Sequence, residues 1–357
     1  FAAGAFYGSQ IQSFEVPATL TEISDIMFMD CKNLTTITLP NNITRIGLRA
    51  FMGCSALTKI EIPQTVTEID EYAFANCTSL AEVTFAERKT PYTIGAHAFD
   101  GAASLAAINL PEGITGLAPY MFANSGLVSF TLPASVTNLN VEGVFYGSKL
   151  TTFDVANANV NVGNTLGVKF FMNSASLTTV KLPNSITRLG ELVFDNQNGD
   201  TNYNGVIDPI EASKFRTDSP SYAFAGCENI ETLIIPDTVE TIGEACFQRC
   251  ARITSVSLGS GFKSQDTLDS KGDLVMKADG NTPKKNVDEI GKFAFYFCKN
   301  ISTIKYNGTK EEFRRLHVDV SVFLSVTMTK VVKCTDGTIE YPKLEGKNEL
   351  PIDTDKK

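Results

Sequence analysis

Tryptophan is absent from the 357 residues, and there are only two histidines. The first absence removes the ring that makes the largest aromatic platform for sugars. The second leaves few groups for acid–base work near neutral pH. Charged residues are only 20% of the chain, and the balance is acidic, with 40 Asp and Glu against 31 Lys and Arg, a net charge of −9. No run of Lys and Arg supplies the basic surface that phosphates demand, so nucleic acid is excluded as a partner. No apolar run approaches the roughly 20 residues of a membrane-crossing helix. Gly-rich phosphate loops of the Walker or dinucleotide type are missing. No Cys-x-x-Cys pair is matched by a second one, so zinc is not indicated. What remains, with 43% hydrophobic residues, is an ordered chain with a core.

Internal repetition organises that core. Blocks such as Ala50-Phe51-Met52-Gly53-Cys54 recur on Phe6, Phe28, Phe51, Phe74, Phe99, Phe122, Phe145, Phe171, Phe194, Phe224, Phe247 and Phe295. Most steps are 22 or 23 residues, and steps of 25, 26, 30 and 48 read as insertions that keep the frame. Each block leads into a Leu-x-x-Ile-x-Leu-Pro phrase, as in Leu34–Pro40, Leu57–Pro63, Leu105–Pro111, Leu127–Pro133 and Leu177–Pro183. A Thr-x-Ile-Gly phrase follows, as in Thr44–Gly47 and Thr241–Gly243. The Leu and Ile positions turn inward while their neighbours face solvent, and Pro ends the strand without needing a donor. One such unit cannot bury its own apolar face, so neighbours must stack and share a core. Eleven or twelve coils at about 4.8 Å spacing predict a rod roughly 50 Å long.

The phrase Leu34–Cys54 (LTTITLPNNITRIGLRAFMGC), nearly repeated in Ile230–Cys250, resembles the BspA-like leucine-rich repeats. The closing segments Ile304–Phe313 and Cys334–Thr338 are similar to the end of that family. The resemblance implies a right-handed leucine-rich repeat solenoid, with parallel strands on its concave face and short loops, strands and turns on its convex face. It also implies a secreted or cell-surface protein of host-associated bacteria, in a family for which adhesion to host proteins is proposed. Residues 1–300 form the expected solenoid, 301–345 a closing cap and 346–357 a polar tail. The chain opens at Phe1–Phe6, already inside the motif, so a leader and an N-terminal cap are expected upstream.

Six of the eight cysteines stand three residues after a motif phenylalanine: Cys31, Cys54, Cys77, Cys227, Cys250 and Cys298. Ser9, Ala102, Ser125, Ser148 and Ser174 take the same place elsewhere. A slot open to Cys, Ser or Ala selects a small side chain, so buried thiols are expected rather than a disulfide ladder.

Two insertions interrupt the period. The first, at about 195–220, contains Asp200-Thr-Asn202-Tyr-Asn204-Gly205-Val206-Ile-Asp208-Pro-Ile-Glu211, the spacing of an EF-hand calcium loop. Asp200, Asn202, Asn204 and Asp208 supply side-chain oxygens, Val206 its carbonyl and Glu211 a bidentate carboxylate, while Gly205 permits the turn. With Gly199 before it, the stretch also resembles half a dockerin repeat, though it stands alone and lacks an apolar incoming helix. The expectation is one structural calcium ion, bound weakly because two ligands are uncharged. The second insertion, at about 259–287, is polar and rich in turn formers, and reads as a protruding hairpin or loop.

Partners of a leucine-rich solenoid usually meet its inner face. The outward residues there are Thr36 and Thr38, Lys59 and Glu61, Glu82 and Thr84, Ala107 and Asn109, Ser129 and Thr131, Thr152 and Asp154, Thr179 and Lys181, Thr232 and Ile234, and Ser255 and Ser257. They make a Ser/Thr carpet with scattered charges, without the paired carboxylates of glycosidases or a row of aromatics. His97 and His317 stand apart, leaving a Ser-His-Asp site without a base. The chain therefore reads as non-catalytic. Either its face binds a protein, such as a host extracellular matrix or plasma protein, or the rod is a spacer that presents another domain.

Overall fold

The computed structural model describes residues 1–87, 91–161, 164–190, 221–262, 289–316, 318, 322 and 330–341. Each coil contributes up to two short strands, one to each of two parallel stacks. From the start of the chain these alternate as β1 (Ser13–Glu15), β2 (Glu22–Ile23), β3 (Thr36–Thr38), β4 (Arg45–Ile46), β5 (Lys59–Ile62), β6 (Glu68–Ile69), β7 (Glu82–Phe85) and β8 (Thr93–Ile94). The middle holds β9 (Thr152–Asp154), β10 (Asn164–Leu166), β11 (Thr179–Lys181) and β12 (Ile186–Leu189). The last part holds β13 (Thr232–Ile234), β14 (Thr241–Ile242), β15 (Ser255–Leu258), β16 (Thr303–Tyr306), β17 (Lys330–Cys334) and β18 (Gly337–Tyr341).

The first stack comes from the Leu-x-x-Ile-x-Leu phrases, as expected: β1 pairs with β3, β5 with β7, β9 with β11, and β13, β15, β16 and β17 run in succession. The phrases at 107–109 and 129–131 form no strand, although Ile108 and Phe130 are buried in register with the others. The Thr-x-Ile-Gly phrases build a second stack, β2-β4-β6-β8 and β10-β12-β14, continued by single bridges at Ile290 and Val318. At the C-terminal end β18 folds back antiparallel on β17, turning the sheet's open edge into a hairpin. Beside it lies helix α1 (Lys310–Arg315), started by a Thr309–Glu312 capping box.

Between the second stack and the next phrase, the chain turns a corner around the motif phenylalanine. Eleven of these rings form one column: Phe6, Phe28, Phe51, Phe74, Phe99, Phe122, Phe145, Phe171, Phe224, Phe247 and Phe295, with centroids 4.9–5.8 Å apart and stacked faces. The corner backbone uses its donors alternately. Around Phe51, the N–H groups of Arg49, Phe51 and Gly53 donate to Glu71, Ala73 and Ala75 of the next coil, while those of Ala50, Met52 and Cys54 close turns within their own coil. No donor of this buried strip is wasted. The geometry requires positive φ two residues before and two residues after each phenylalanine, as at Arg49 (55°) and Gly53 (75°).

The position after the ring solves that strain with a two-coil alternation. Asp30, Asn76, Asn124 and Asn173 occupy it in one coil, and Gly53, Gly101, Gly147 and Gly226 in the coil that follows. Asn and Asp tolerate the left-handed region better than other L-residues, and glycine carries no penalty. The two kinds are also matched in space. A methyl at Gly147 would sit 2.5 Å from Asn124 Oδ1, and one at Gly226 would sit 2.6 Å from Asn173 Oδ1.

That alternation corrects the expected frame at Phe194. Phe171 stacks directly on Phe224 at 5.3 Å, its N–H donates to Ala223 O at 2.7 Å, and Asn173 meets Gly226 in phase. No rung intervenes, so among the described residues the column holds eleven phenylalanines, and the step from Phe171 to Phe224 is a single enlarged coil. The described frame stops at Gly190 and resumes at Ser221; Phe194 and the calcium-loop residues Asp200–Glu211 lie outside the described residues. The second insertion also begins later than expected. Gly259–Phe262 still belong to the frame, because Phe262 is wholly buried and its carbonyl accepts from Tyr306 Oη at 2.9 Å.

All eight cysteines are thiols, and all but Cys334 are buried. In most coils the slot three residues after the phenylalanine holds a small donor that serves a carbonyl of the preceding coil. Cys54 Sγ donates to Phe28 O at 3.0 Å, Cys250 Sγ to Phe224 O at 3.1 Å, and Ser174 Oγ to Phe145 O at 2.6 Å. Burial pushes the Cys77 thiol up to about 12 and raises those of Cys54 and Cys227 as well.

Two outcomes follow. Unfolded protein should yield about eight thiols without reductant, whereas folded protein at pH 8 should react quickly at Cys334 at most; recovery of two or fewer from unfolded protein would mean disulfides. At the corner, Arg249 sits exposed at φ 62° where the other described coils, except that of Phe297, carry Asn, Asp or Gly, so Arg249→Gly should stabilise by about 0.5–1 kcal/mol. Gly147→Ala should cost roughly 2 kcal/mol, part of it returned by adding Asn124→Gly. Calorimetric melting of the four proteins reads both effects, and a neutral Gly147→Ala would contradict the matched alternation.

Candidate binding face and cleft

The ten face residues singled out from the sequence, Thr36, Thr38, Lys59, Glu61, Glu82, Thr84, Asn109, Thr131, Asp154 and Lys181, are all exposed. Strand pairing arranges many of them in two straight rows. Lys59 stands beside Glu82 and Glu61 beside Thr84, Thr179 beside Thr152, and Lys181 beside Asp154. Further along, Thr232, Ser255 and Thr303 continue one row, and Ile234, Ser257, Lys305 and Lys333 the other. The Lys181 ammonium donates to Asp154 Oδ2 at 2.7 Å and, with the Ala156 N–H, holds that carboxyl below its usual range. Ile234 breaks the polar character of the face: it is 71% exposed, the most exposed large apolar side chain among the described residues.

At Ile234 the first sheet is split. β11 ends one pair and β13 begins another sheet, and among the described residues they are not paired. The rest of the coil holds together across this step: Lys169 N–H donates to Ser221 O, Phe171 N–H to Ala223 O and Gly243 N–H to Leu189 O. The opening is therefore a wedge with its hinge on the corner and second-stack side. It makes a cleft of about 820 Å³ whose floor reaches Leu189, Phe224 and Phe247. Val180 and Leu182, at positions buried in most other coils, are only half-buried here. The Lys181–Asp154 pair borders one wall and an Arg252–Glu231 pair the other.

A third feature lies on the corner, two residues before the motif phenylalanine, where the sequence reading found nothing. Arg49 caps the Tyr72 ring at 5.4 Å, Tyr72 stacks on His97 at 4.5 Å, and His97 stacks on Tyr120 at 4.9 Å. His97 is therefore not isolated; its Nδ1 is 2.8 Å from Asp100 Oδ2. Gly143 leaves room for the Tyr120 ring, which any Cβ there would strike. Beyond it, Tyr120 Oη and Lys169 Nζ both donate to Glu142 Oε1 at 2.7 Å, and burial, with Glu142 beside it, raises the Tyr120 phenol above its ordinary value. Both faces of the imidazole are covered by rings, so this row braces adjacent coils and offers no stacking surface there. Reading every coil at that one offset would have revealed it. His317 lies outside the described residues.

Arg45 gathers Glu22 and Asp25 of the preceding coil and Glu68 and Asp70 of the following one. Burial pushes the Asp70 carboxyl above its ordinary value although Arg45 pulls it down. This cluster ties the second stack together by charge. Among the described residues, no group of His, Cys, Asp and Glu is placed to hold a metal ion. No helix among them is long and apolar enough to cross a membrane.

Among solved structures, the chain is similar to a leucine-rich repeat protein from Bacteroides ovatus, at 21% identity and a TM-score of 0.50, covering 94% of this chain and 87% of that one. It is also similar to the pneumococcal vaccine antigen PcpA, at 16% identity and a TM-score of 0.53, covering 91% and 74%. At these identities the likeness concerns the fold. No curated protein matches the sequence. The profile of the BspA type leucine rich repeat region matches residues 1–91, 88–200, 208–271 and 275–331. With the phenylalanine column and the paired phrases running through those segments, the chain belongs to the BspA-type leucine-rich repeat family.

Proposed function

We propose that this chain is a secreted or surface-displayed adhesion module of a host-associated bacterium, which binds an extracellular matrix or plasma protein of the host through the first-sheet face. The observation that carries the reading is the face itself: two rows of outward side chains, in register within each paired segment, on a core that does not depend on them. Leucine-rich repeat proteins are in general non-catalytic binding scaffolds, and the row residues are chemically suited to hydrogen bonding and charge contacts rather than to bond making. Calcium has a structural part in this reading. Asp200, Asn202, Asn204, Asp208 and Glu211, with the Val206 carbonyl, have the oxygen donors and spacing for one ion. The support for it is the sequence pattern.

Host matrix and plasma proteins passed over the immobilised chain, with and without calcium, test the first part. A retained protein should lose about tenfold or more in affinity on Thr38→Arg with Thr84→Arg, at unchanged melting temperature. Retention of nothing would favour the spacer reading, and retention indifferent to those changes would place the contact outside the coils of Thr38 and Thr84.

Calcium is tested by hydrogen exchange. Calcium at tenfold excess over Kd adds about 1.4 kcal/mol to whatever its binding requires to be folded. Exchange across 196–215 should slow in millimolar calcium, distant coils should be unaffected, and Glu211→Ala should abolish the effect. No change in that segment would make the twelve-residue pattern a coincidence.

A further inference from the structure

We propose that the wedge between β11 and β13 is a recognition site for an extended strand of the protein partner, with apolar residues at alternate positions, which enters the gap and completes the first sheet. The proposal rests on the binding role given to this face and names where, and by what chemistry, one partner segment is held.

Main-chain hydrogen bonding argues for a strand rather than a compact ligand. At the phrase leading into the first-sheet strands, most coils donate to the one before: Thr151 N–H to Val128 O, Thr178 N–H to Thr151 O, Thr254 N–H to Glu231 O and Ser302 N–H to Thr254 O. Among the described residues, no such bond joins Glu231 N–H to Thr178 O. The walls thus present the facing edges of two strands that run parallel, each already paired on its far side. At the β3–β5 break and at the unpaired step from β7 to 107–109 the inward residues Ile37 and Ile60, and Val83 and Ile108, stay buried, whereas Val180 at the wedge is half-buried. An inserted strand, at about 4.8 Å from each wall, would meet edges of this kind as an added strand does at a sheet edge.

The side-chain environment sets the occupant's character. The floor is apolar, through Leu189, Phe224 and Phe247, and Val180 and Leu182 are half-buried above it. Every inward residue of an incoming strand would be desolvated there. At the rim the charges cancel in two pairs, one on each wall, in a protein whose net charge is −9. An electrically neutral cleft with an apolar floor complements an uncharged strand and penalises a charged one. The volume, about 820 Å³, falls within the roughly 300–1,000 Å³ of ligand pockets and suits a few inward side chains. Ile234, exposed on the rim, would be covered by the arriving chain.

The repeat's own strand phrase has the required form, so a synthetic peptide of residues 34–40, Leu-Thr-Thr-Ile-Thr-Leu-Pro, is the probe. With the full chain and millimolar peptide, amide exchange should slow about fivefold in 178–182 and 229–236 and stay unchanged in 59–62 and 82–85. A scrambled peptide should give no protection. Ile234→Asp, at an exposed position, should weaken peptide binding about tenfold without altering the melting temperature. The proposal is overturned if millimolar peptide protects neither segment, if the scrambled peptide acts equally, or if both segments already exchange as slowly as β5 and β7 without peptide. A host protein retained by the face but indifferent to Ile234→Asp would overturn this site and leave the adhesion reading standing.

Discussion

A coil of this chain cannot exist alone: its phenylalanine, its inward Leu and Ile, and half of its corner N–H groups find partners only in the next coil. The corner backbone makes this demand most strictly. Because alternate donors must reach the following coil, the spacing between coils is set by hydrogen bonds and not by the bulk of side chains. The rings then stack at 4.9–5.8 Å because the backbone has already placed them there. The cost is backbone strain at two positions per coil, which is spread over the molecule instead of being stored at one site. That cost explains why small or locally hydrogen-bonding residues, Gly, Asn and Asp, recur at one of the two positions.

The same arrangement separates stability from recognition. The side chains that hold coils together lie away from the first-sheet face: the ring column and the thiol-to-carbonyl bonds inside, the Tyr72–His97–Tyr120 row on the corner, and the Arg45 cluster on the second stack. The outward residues of the first sheet contribute little to that network, apart from pairs such as Lys181 with Asp154. Exposed pairs of this kind contribute only about 0–1 kcal/mol. The face is therefore free to vary without unfolding the rod.

Much of this was legible in the sequence because periodicity reports the inward positions directly. The phenylalanine column, the strand phrases, the small-residue slot and the exposure of all ten face residues needed no structure. Other features were hidden for physical reasons. Phe194 imitates a rung because Leu192-Val193-Phe194 copies the apolar approach to the ring, yet Gln197 fills the slot that elsewhere takes Cys, Ser or Ala. A strict reading of that slot would have rejected it, since a glutamine side chain does not fit a space sized for a thiol. The positive-φ corners were masked because non-glycine residues occupy most of them, so only alternate coils carry a visible glycine. The slot's donor role was hidden too, since Ala102 fills it without any donor.

The split at β11 and β13 has no signature in composition, for both phrases, Leu177–Pro183 and Ile230–Pro236, are intact. Nor is an insertion between coils enough to produce it. The step from Phe247 to Phe295 also carries a long insertion, yet β15 and β16 remain paired over four residues. The two cases differ in where the extra chain leaves the coil. After Phe262 it departs beyond the first-sheet strand and its buried Leu258, before the second-stack residue Ile290. After Gly190 it departs past the second stack, at the entrance to the corner, and the next coil begins on Ser221. The corner bonds on both sides of that departure are kept, so the misfit they do not absorb appears at the most distant part of the coil, the first sheet. A coil hinged at its corner opens opposite the hinge, and opposite the hinge lies the first-sheet face.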